Sequence, residues 1–421
     1  MGARPFASRL CPVCGSPRSQ RLYRQSFEQF FGASLMHGYD VVACRDCGAG
    51  FADGIPPQTD FDEYYRDLSK YEDGVTATNE PPPVEPRFRD IAGLVAGFIP
   101  SPDSRVLEIG CASGGLLKAL SDLGFRDLVG SDPSPGCIRL AREFYGISGF
   151  AASIFSVPPP DEPYDFLILT GVMEHILDVD RAVEQFRHLL RKGGRVYLEV
   201  PDASRYQAGL DAPFQEFSVE HINFFSKTSL VNLMHARGFR VLAADHTVRP
   251  LHEVTCPCTY GVFEFVEEST AIEPDTDTLA GLTAYIEGCA REDVRIRTAI
   301  QRSLEPDERM IVWGTGTHTL RLLATNGLDP DRIALFVDSN PKYQQQELHG
   351  VPIVRPDQLR SRPEPILISS CSSQHAIYKQ IRQVLGLRNP LILLYGREQS
   401  GYREEPGSAL DTQGKASASL E

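Results

Sequence analysis

The sequence predicts an α/β protein: two Rossmann-like units behind a small, cysteine-bound N-terminal segment. Three observations predict this. Apolar strands alternate with amphipathic helical stretches across residues 90–250, the pattern of a parallel sheet covered by helices. A strand, a glycine turn and a helix follow one another twice, in "RVLEIGCASGGLLKAL" and in "MIVWGTGTHTLRLL". Two Cys-x-x-Cys pairs, Cys11/Cys14 and Cys44/Cys47, lie near the N-terminus.

At 421 residues the chain has room for two or three domains. Hydrophobic content of 42% and charged content of 23% are those of a soluble globular protein. No run approaches ~18 apolar residues, so no membrane span is expected. The start "MGARPFASRLCPVCG" has no apolar h-region, and position 6 is Phe rather than the Ser/Thr of a myristoylation signal. A cytoplasmic protein is the expectation. The net charge of −14 counts against a nucleic-acid binder. It still allows a small phosphorylated substrate held by a local basic cluster.

Residues 1–60 are read as a zinc-binding domain. Two residues between cysteines let both thiolates reach one ion from a tight turn, and 29 residues separate the two knuckles. Four thiolates, Cys11, Cys14, Cys44 and Cys47, leave no open position, so the zinc is expected to be structural. In a reducing compartment, metal binding is favoured over disulfides. The scattered cysteines read as small buried hydrophobes, with Cys256-Pro257-Cys258 the pair singled out for checking. Residues 61–89 turn from acidic to proline-rich in "NEPPPVEPRF" and are expected to form a linker or lid.

Residues 90–255 carry the glycine loop. Strands are expected at "RVLEIG", "DLVGSD", "YDFLILT" and "GRVYLEVP", and helices over 115–123, 135–145, 180–191 and 226–237. Gly124 and Gly238 fall where helix C-cap glycines belong. In "VLEIGCASGG" no Lys-Ser/Thr follows the glycines, which argues against a triphosphate loop. Ala112 replaces the middle glycine of a dinucleotide fingerprint. The acid comes first instead. Glu108 can orient the network near a ligand's ammonium, and glycines let the backbone approach an amino-acid moiety and a ribose. Asp132, 22 residues after Gly110, stands at a strand end where a carboxylate can accept ribose hydroxyls. Ser153 and Ile154 precede the next strand, where an adenine edge is often read.

These residues resemble a class I S-adenosylmethionine-dependent methyltransferase over about residues 90–250. The resemblance implies a cofactor set of Glu108, Gly110, Cys111, Gly114, Asp132, Pro133, Ser153, Ile154 and Thr170. Two Glu-His pairs follow: Glu174-His175 in "GVMEHILD" and Glu220-His221 in "FSVEHINFFS". The first lies past a strand's C-terminal end, where open α/β sheets place their sites. Ser226 or Thr228 can cap the helix after the second.

The layout of a CxxC…CxxC segment, a central methyltransferase domain and a C-terminal Rossmann-like domain is similar to the bacterial sugar C-methyltransferases, over about residues 8–398. That resemblance implies a small-molecule acceptor, a nucleotide-linked keto-sugar or a related natural-product intermediate. It implies His221 as base, Glu220 orienting it and His175 assisting. A carbon beside a ketone becomes nucleophilic only when a proton leaves, and a histidine tuned near neutrality can take it. The chain departs from the family where Ser218 and Val219 replace a tyrosine and a histidine. That departure leaves open methyl transfer to oxygen or nitrogen, and Ser218 and Asn223 are candidate substrate contacts.

Residues 256–305 are expected to form a bridging helical segment, and residues 306–400 a Rossmann-like, substrate-docking domain. Gly314 and Gly316 could hold a phosphate at a helix N-terminus, helped by His318 and Lys342. Thr319 replaces the third fingerprint glycine and counts against nicotinamide. Residues 401–421 read as a disordered tail. Two rival readings of other classes are an NAD-linked oxidoreductase and a non-catalytic zinc-ribbon scaffold. The oligomeric state is not legible in the sequence.

Overall fold

The computed structural model describes residues 8–28, 35–67, 83–209, 212–251, 254–341, 343–395 and 402–404. Lys342, residues 68–82 of the expected linker and residues 405–421 of the expected tail lie outside the described residues. The chain divides into two compact units, Met1–Glu292 and Asp293–Glu421.

The first unit opens with an antiparallel meander, β1 (Ser19–Ser26), β2 (Gly38–Cys44) and β3 (Gly50–Asp53). Helix α1 (Gln58–Asp67) follows. Helix α2 (Pro86–Ala96) begins with proline in its first turn, where the missing N–H costs nothing, and buries Ile91, Ala92 and Val95. It lies partly in the stretch expected to be linker.

Strands β4 (Arg105–Ile109), β5 (Asp127–Asp132), β6 (Ser148–Ala151), β7 (Tyr164–Thr170) and β8 (Leu190–Pro201) alternate with α3 (Gly115–Asp122), α4 (Pro135–Tyr145) and α5 (Val179–Leu189). Local signals place the helix ends. The Ser134 hydroxyl accepts from Cys137 N and starts α4, and Gly146, at φ 66°, ends it. The Asp178 carboxylate accepts from Arg181 N and starts α5.

After β8 come the short strand β9 (Asn223–Phe224), helix α6 (Lys227–His235) and strands β10 (Phe239–Leu251) and β11 (Val254–Phe265). Ser226 and Ser229 form a reciprocal cap for α6, so of the two expected caps Ser226 serves. The sheet order is β10-β11-β8-β7-β4-β5-β6, parallel from β8 to β6, with β11 antiparallel to β8 and β10. The boundary expected at 255/256 therefore falls inside this sheet. Residues 254–265 are a strand, and the helix expected for the bridging segment is α7 (Asp277–Arg302).

The N-terminal meander is not self-contained. β9 pairs antiparallel with β3 as its fourth strand. Tyr39, Phe51, Phe61, Phe217 and Phe224 are fully buried, and Tyr39, Phe61, Phe217 and Phe224 share one cluster. A meander this small buries little core alone, so it borrows the segment after β8.

The second unit holds β12 (Met310–Trp313), α8 (Thr317–Ala324), β13 (Ile333–Val337), β14 (Glu347–Leu348), β15 (Val351–Val354), β16 (Ile366–Ile368), α9 (Gln374–Lys379), β17 (Leu391–Leu393) and β18 (Tyr402–Glu404). Its sheet order is β14-β15-β13-β12-β16-β17-β18, with a parallel centre and antiparallel edges. Among the described residues no helix is long and apolar enough to cross a membrane.

Candidate active site

The four paired cysteines converge. Cys11 Sγ lies 3.5 Å from Cys47 Sγ, and Cys14 Sγ 3.5 Å from Cys44 Sγ. All four sulfurs lie within 4.8 Å of one another. A tetrahedral ion with metal–sulfur bonds of about 2.3 Å needs sulfur–sulfur edges of about 3.8 Å, so this donor set fits zinc. Each knuckle turns on a glycine in the left-handed region, Gly15 at φ 72° and Gly48 at φ 85°. Their amides donate to the Cys11 and Cys44 carbonyls.

The glycine loop stands at the C-terminal end of β4. Gly110 and Gly114 have φ of 79° and 84°, and Ala112 between them also has positive φ, 45°. A Cβ on Gly110 would come within 2.6 Å of Val172. Asp132 at the end of β5 accepts from Ala112 N (3.0 Å) and Ser134 N (2.9 Å), which holds the loop against the strand. Two oxygens offer about four acceptor sites, so ribose hydroxyls retain places on this carboxylate.

Glu108 is 2% exposed and its Oε2 has no hydrogen-bond partner. Burial, then the Asp132 charge, push its carboxyl from 4.5 to about 8. An unpartnered buried carboxylate beside a glycine cradle fits a cationic ligand such as S-adenosylmethionine. Ile154 is buried just after β6, and Ala152 N donates to Asp132 O (2.9 Å). Ser153 turns the chain there, its amide donating to Ser156 Oγ (3.0 Å), and Pro133 and Thr170 are half-buried at strand ends. The Cys111 thiol packs into the core against Gly130, so only its backbone remains for a ligand.

Glu108 sets a pH signature. Its folded pKa lies above its unfolded value, so the folded state holds the proton more tightly between pH 4.5 and about 8. Cofactor-free protein should therefore lose stability as pH rises through that window, by at most roughly 1.4 kcal/mol per pH unit from this group. Thermal unfolding of wild type and Glu108→Gln across pH 5–8.5 checks this. Equal slopes would refute it.

The two Glu-His pairs meet. Met173–His175 is a single 3-10 turn past β7, and Ile222 N donates to Glu174 O (2.8 Å). The His175 and His221 rings lie edge to face, centroids 5.0 Å apart. His175 Nδ1 faces the Glu220 carbonyl oxygen at 3.0 Å. The carboxylate beside His221 Nδ1 is that of Glu216, at 3.8 Å. The Glu220 carboxylate accepts from Tyr64 Oη (3.0 Å) on α1. The orienting carboxylate expected from Glu220 is thus replaced by Glu216, because the turn at 218–221 carries the Glu220 side chain toward α1.

Ser218 and Asn223 are framework residues. Ser218 Oγ accepts from Glu220 N (3.2 Å) and His221 N (3.1 Å), and its carbonyl accepts from Tyr39 Oη (2.8 Å). Asn223 is buried and donates to Met173 O (2.8 Å) and Ile176 O (2.7 Å), while its own oxygen accepts from Arg9 (2.7 Å). Its amide thereby ties both Glu-His segments to the N-terminal meander. Asn223→Ala should cost about 3 kcal/mol, because buried carbonyls lose their donors. Urea unfolding measures that cost. Methyl-transfer turnover should fall with it, and unchanged stability would refute the assignment.

Sequence reasoning missed Tyr64, Glu216, Tyr39 and Arg9, which lie far from their partners in the chain. It also missed Glu199, which pairs with Arg249 (2.6 Å) and accepts from Tyr197 Oη (2.6 Å). Burial raises the Glu174 carboxyl, His175 opposes this, and Glu199 adds a smaller upward push. The one available signal was Glu199 inside an otherwise apolar strand, "VYLEVP".

In the second unit Gly314, at φ 103°, and Gly316, capping α8, form the expected turn. Thr315 N and Oγ1 donate to Asp338 Oδ2 at 2.9 and 2.6 Å. His318 does not serve as a phosphate cation. It is 4% exposed, and burial, then the Arg321 charge, lower its pKa to about 3, so it is neutral. Its Nδ1 lies 3.2 Å from Tyr395 Oη.

The family described as "Methyltransferase domain" matches residues 84–244. An uncharacterized protein of Methanocaldococcus jannaschii is 25% identical over 149 residues, 35% of this chain and 70% of that protein. A probable S-adenosylmethionine-dependent methyltransferase of Mycolicibacterium smegmatis is 26% identical over 137 residues, 32% of this chain and 52% of that protein. A solved S-adenosylmethionine-dependent methyltransferase from Methanosarcina mazei is 16% identical, with TM-score 0.36, covering 41% of this chain and 98% of that one. The chain therefore spans about half the length of the Mycolicibacterium relative.

Proposed function

We propose that this chain, whose residues 84–244 match the methyltransferase-domain family, is a class I S-adenosylmethionine-dependent enzyme that methylates carbon beside a ketone in a small, nucleotide-linked sugar or related intermediate. The observation that carries the reading is the meeting of His175 and His221, 5.0 Å apart, beside the strand ends that bear the glycine loop. S-adenosylmethionine, when bound, supplies an electrophilic methyl group. Gly110 and Gly114 admit its backbone-like portion, Asp132 takes ribose hydroxyls, and Glu108 answers positive charge.

His221 removes the proton from the carbon beside the ketone, and Glu216 at its Nδ1 stabilises the imidazolium that forms. With S-adenosylmethionine bound, the acceptor carbon would take the methyl group as the sulfur–methyl bond breaks, its electron pair going to sulfur. An enolate oxygen needs a donor. Ser218 Oγ accepts from Glu220 N and His221 N, which leaves its own O–H to donate, whereas the Tyr64 hydroxyl already donates to Glu220. A structural zinc at Cys11, Cys14, Cys44 and Cys47 holds the meander that carries Tyr39 and backs the 212–222 segment.

The test is incubation with candidate nucleotide-linked keto-sugars and methyl-labelled S-adenosylmethionine, followed by mass and NMR analysis of product. A methyl carbon coupled to the carbon beside the ketone is the expected result. A methyl ether or N-methyl product would replace the reading with transfer to a heteroatom. In deuterated water the acceptor's α-hydrogen should also exchange without cofactor. Absence of exchange would remove the enolate step.

A further inference from the structure

A buried carboxylate oxygen without a partner is costly, and a cation relieves that cost. Glu174 is 3% exposed, and its Oε2 has no hydrogen-bond partner. Its Oε1 lies 3.9 Å from His175 Nε2. One donor atom each from Glu174, His175 and His221 lie within 4.8 Å of one another. Small side-chain rotations bring such a set onto one ion at the usual nitrogen and oxygen distances of about 2.0–2.2 Å.

The surroundings are those of a ligand set. A carbonyl oxygen only accepts, so at 3.0 Å from Glu220 O the His175 Nδ1 carries the proton. The Nε2 lone pair of neutral His175 then faces Glu174. A metal-bound histidine has this same outer hydrogen bond, which fixes its tautomer. Glu216 stands at His221 Nδ1 in the corresponding place.

We propose that Glu174, His175 and His221 form a divalent-cation site, separate from the four cysteines, for a borderline ion such as Zn2+ or Co2+. Two imidazoles and one carboxylate are the donor set such ions take, with positions left open. Where the methyl-transfer reading holds, the ion occupies the lone pairs that would take the substrate proton. Occupancy then inhibits the enzyme.

The purified full chain, dialysed with its cysteine-bound metal retained, is titrated with Co2+ and followed by visible absorption and metal analysis. Expected is one additional ion per chain, with weak nitrogen/oxygen-type bands and no new thiolate charge-transfer band. Glu174→Gln and His175→Gln should each weaken that binding by roughly 100-fold or more, since even outer partners are worth 10–100-fold. Circular dichroism shows whether each variant folds, and either folded variant suffices for the comparison. No additional ion in wild type, or undiminished binding in a folded variant, overturns the site. Binding, with no methyl transfer even in enzyme free of the added ion, refutes the functional reading alone. Methyl transfer without binding refutes the site alone.

Discussion

His221→Asn should lower methyl transfer by roughly 10²–10⁴-fold, the usual contribution of a positioned general base. Asparagine keeps a polar side chain of similar reach but has no nitrogen that titrates near neutrality. Cofactor affinity should not change, because the glycine loop and Asp132 hold themselves through backbone contacts that do not involve residue 221. The fold should also survive. His221 N and its carbonyl remain held by Ser218 Oγ (3.1 Å) and Tyr39 Oη (3.4 Å). The measurement is single-turnover methyl transfer with calorimetry of S-adenosylmethionine binding on the same preparation. Loss of turnover with intact binding separates proton removal from cofactor capture. A wild-type rate would show that another group takes the proton.

Cys44→Ser should abolish metal binding at the N-terminus and lower the thermal midpoint by about 10 °C or more. Structural zinc in small modules is worth roughly 10–16 kcal/mol of apparent binding free energy, much of it folding free energy. Even a few kcal/mol shifts the midpoint of a domain of this size by about 2–4 °C each. The loss should spread past the knuckles. Cys47 O accepts from Asp275 N (2.8 Å), and Arg9 donates to Ile222 O, Leu177 O and Asn223. Loosening the meander therefore frees the 212–222 segment, and turnover should fall although no cysteine touches substrate. Metal analysis, differential scanning calorimetry and the methyl-transfer assay read the three effects. One chain-equivalent of metal retained by the variant, or an unmoved midpoint, would refute the assignment.

Much of the central sheet was legible because its signals are local. Apolar runs such as "YDFLILT" read as buried strands, and Ser134, Asp178 and Ser226 start helices by capping them. The glycine loop was legible for the same reason: two close glycines and a strand-end acid need no partner from elsewhere. The β10–β11 hairpin was not. "VTCPCTYGVFEF" carries Pro257 between two cysteines, and from residue 256 it was expected to open the bridging helical segment, yet it pairs with β8 because that apolar strand needs a neighbour on its exposed edge.

The sequence by itself determined that a strand–loop–helix unit can bind a nucleoside-like cofactor, that four cysteines can hold one metal, and that two Glu-His pairs are candidates for proton transfer. Each conclusion rests on residues close in the chain, where spacing dictates geometry. Only the tertiary structure decided how those parts combine. It placed His175 and His221 together across 45 intervening positions of register, assigned Glu216 to His221, turned Glu220 toward Tyr64, and made Asn223 and Ser218 braces. The reason is that burial and hydrogen-bond satisfaction are global. A carbonyl at Met173 or Ile176 must find a donor wherever the fold provides one, and here that donor is an asparagine on the strand that closes the cysteine-bound sheet.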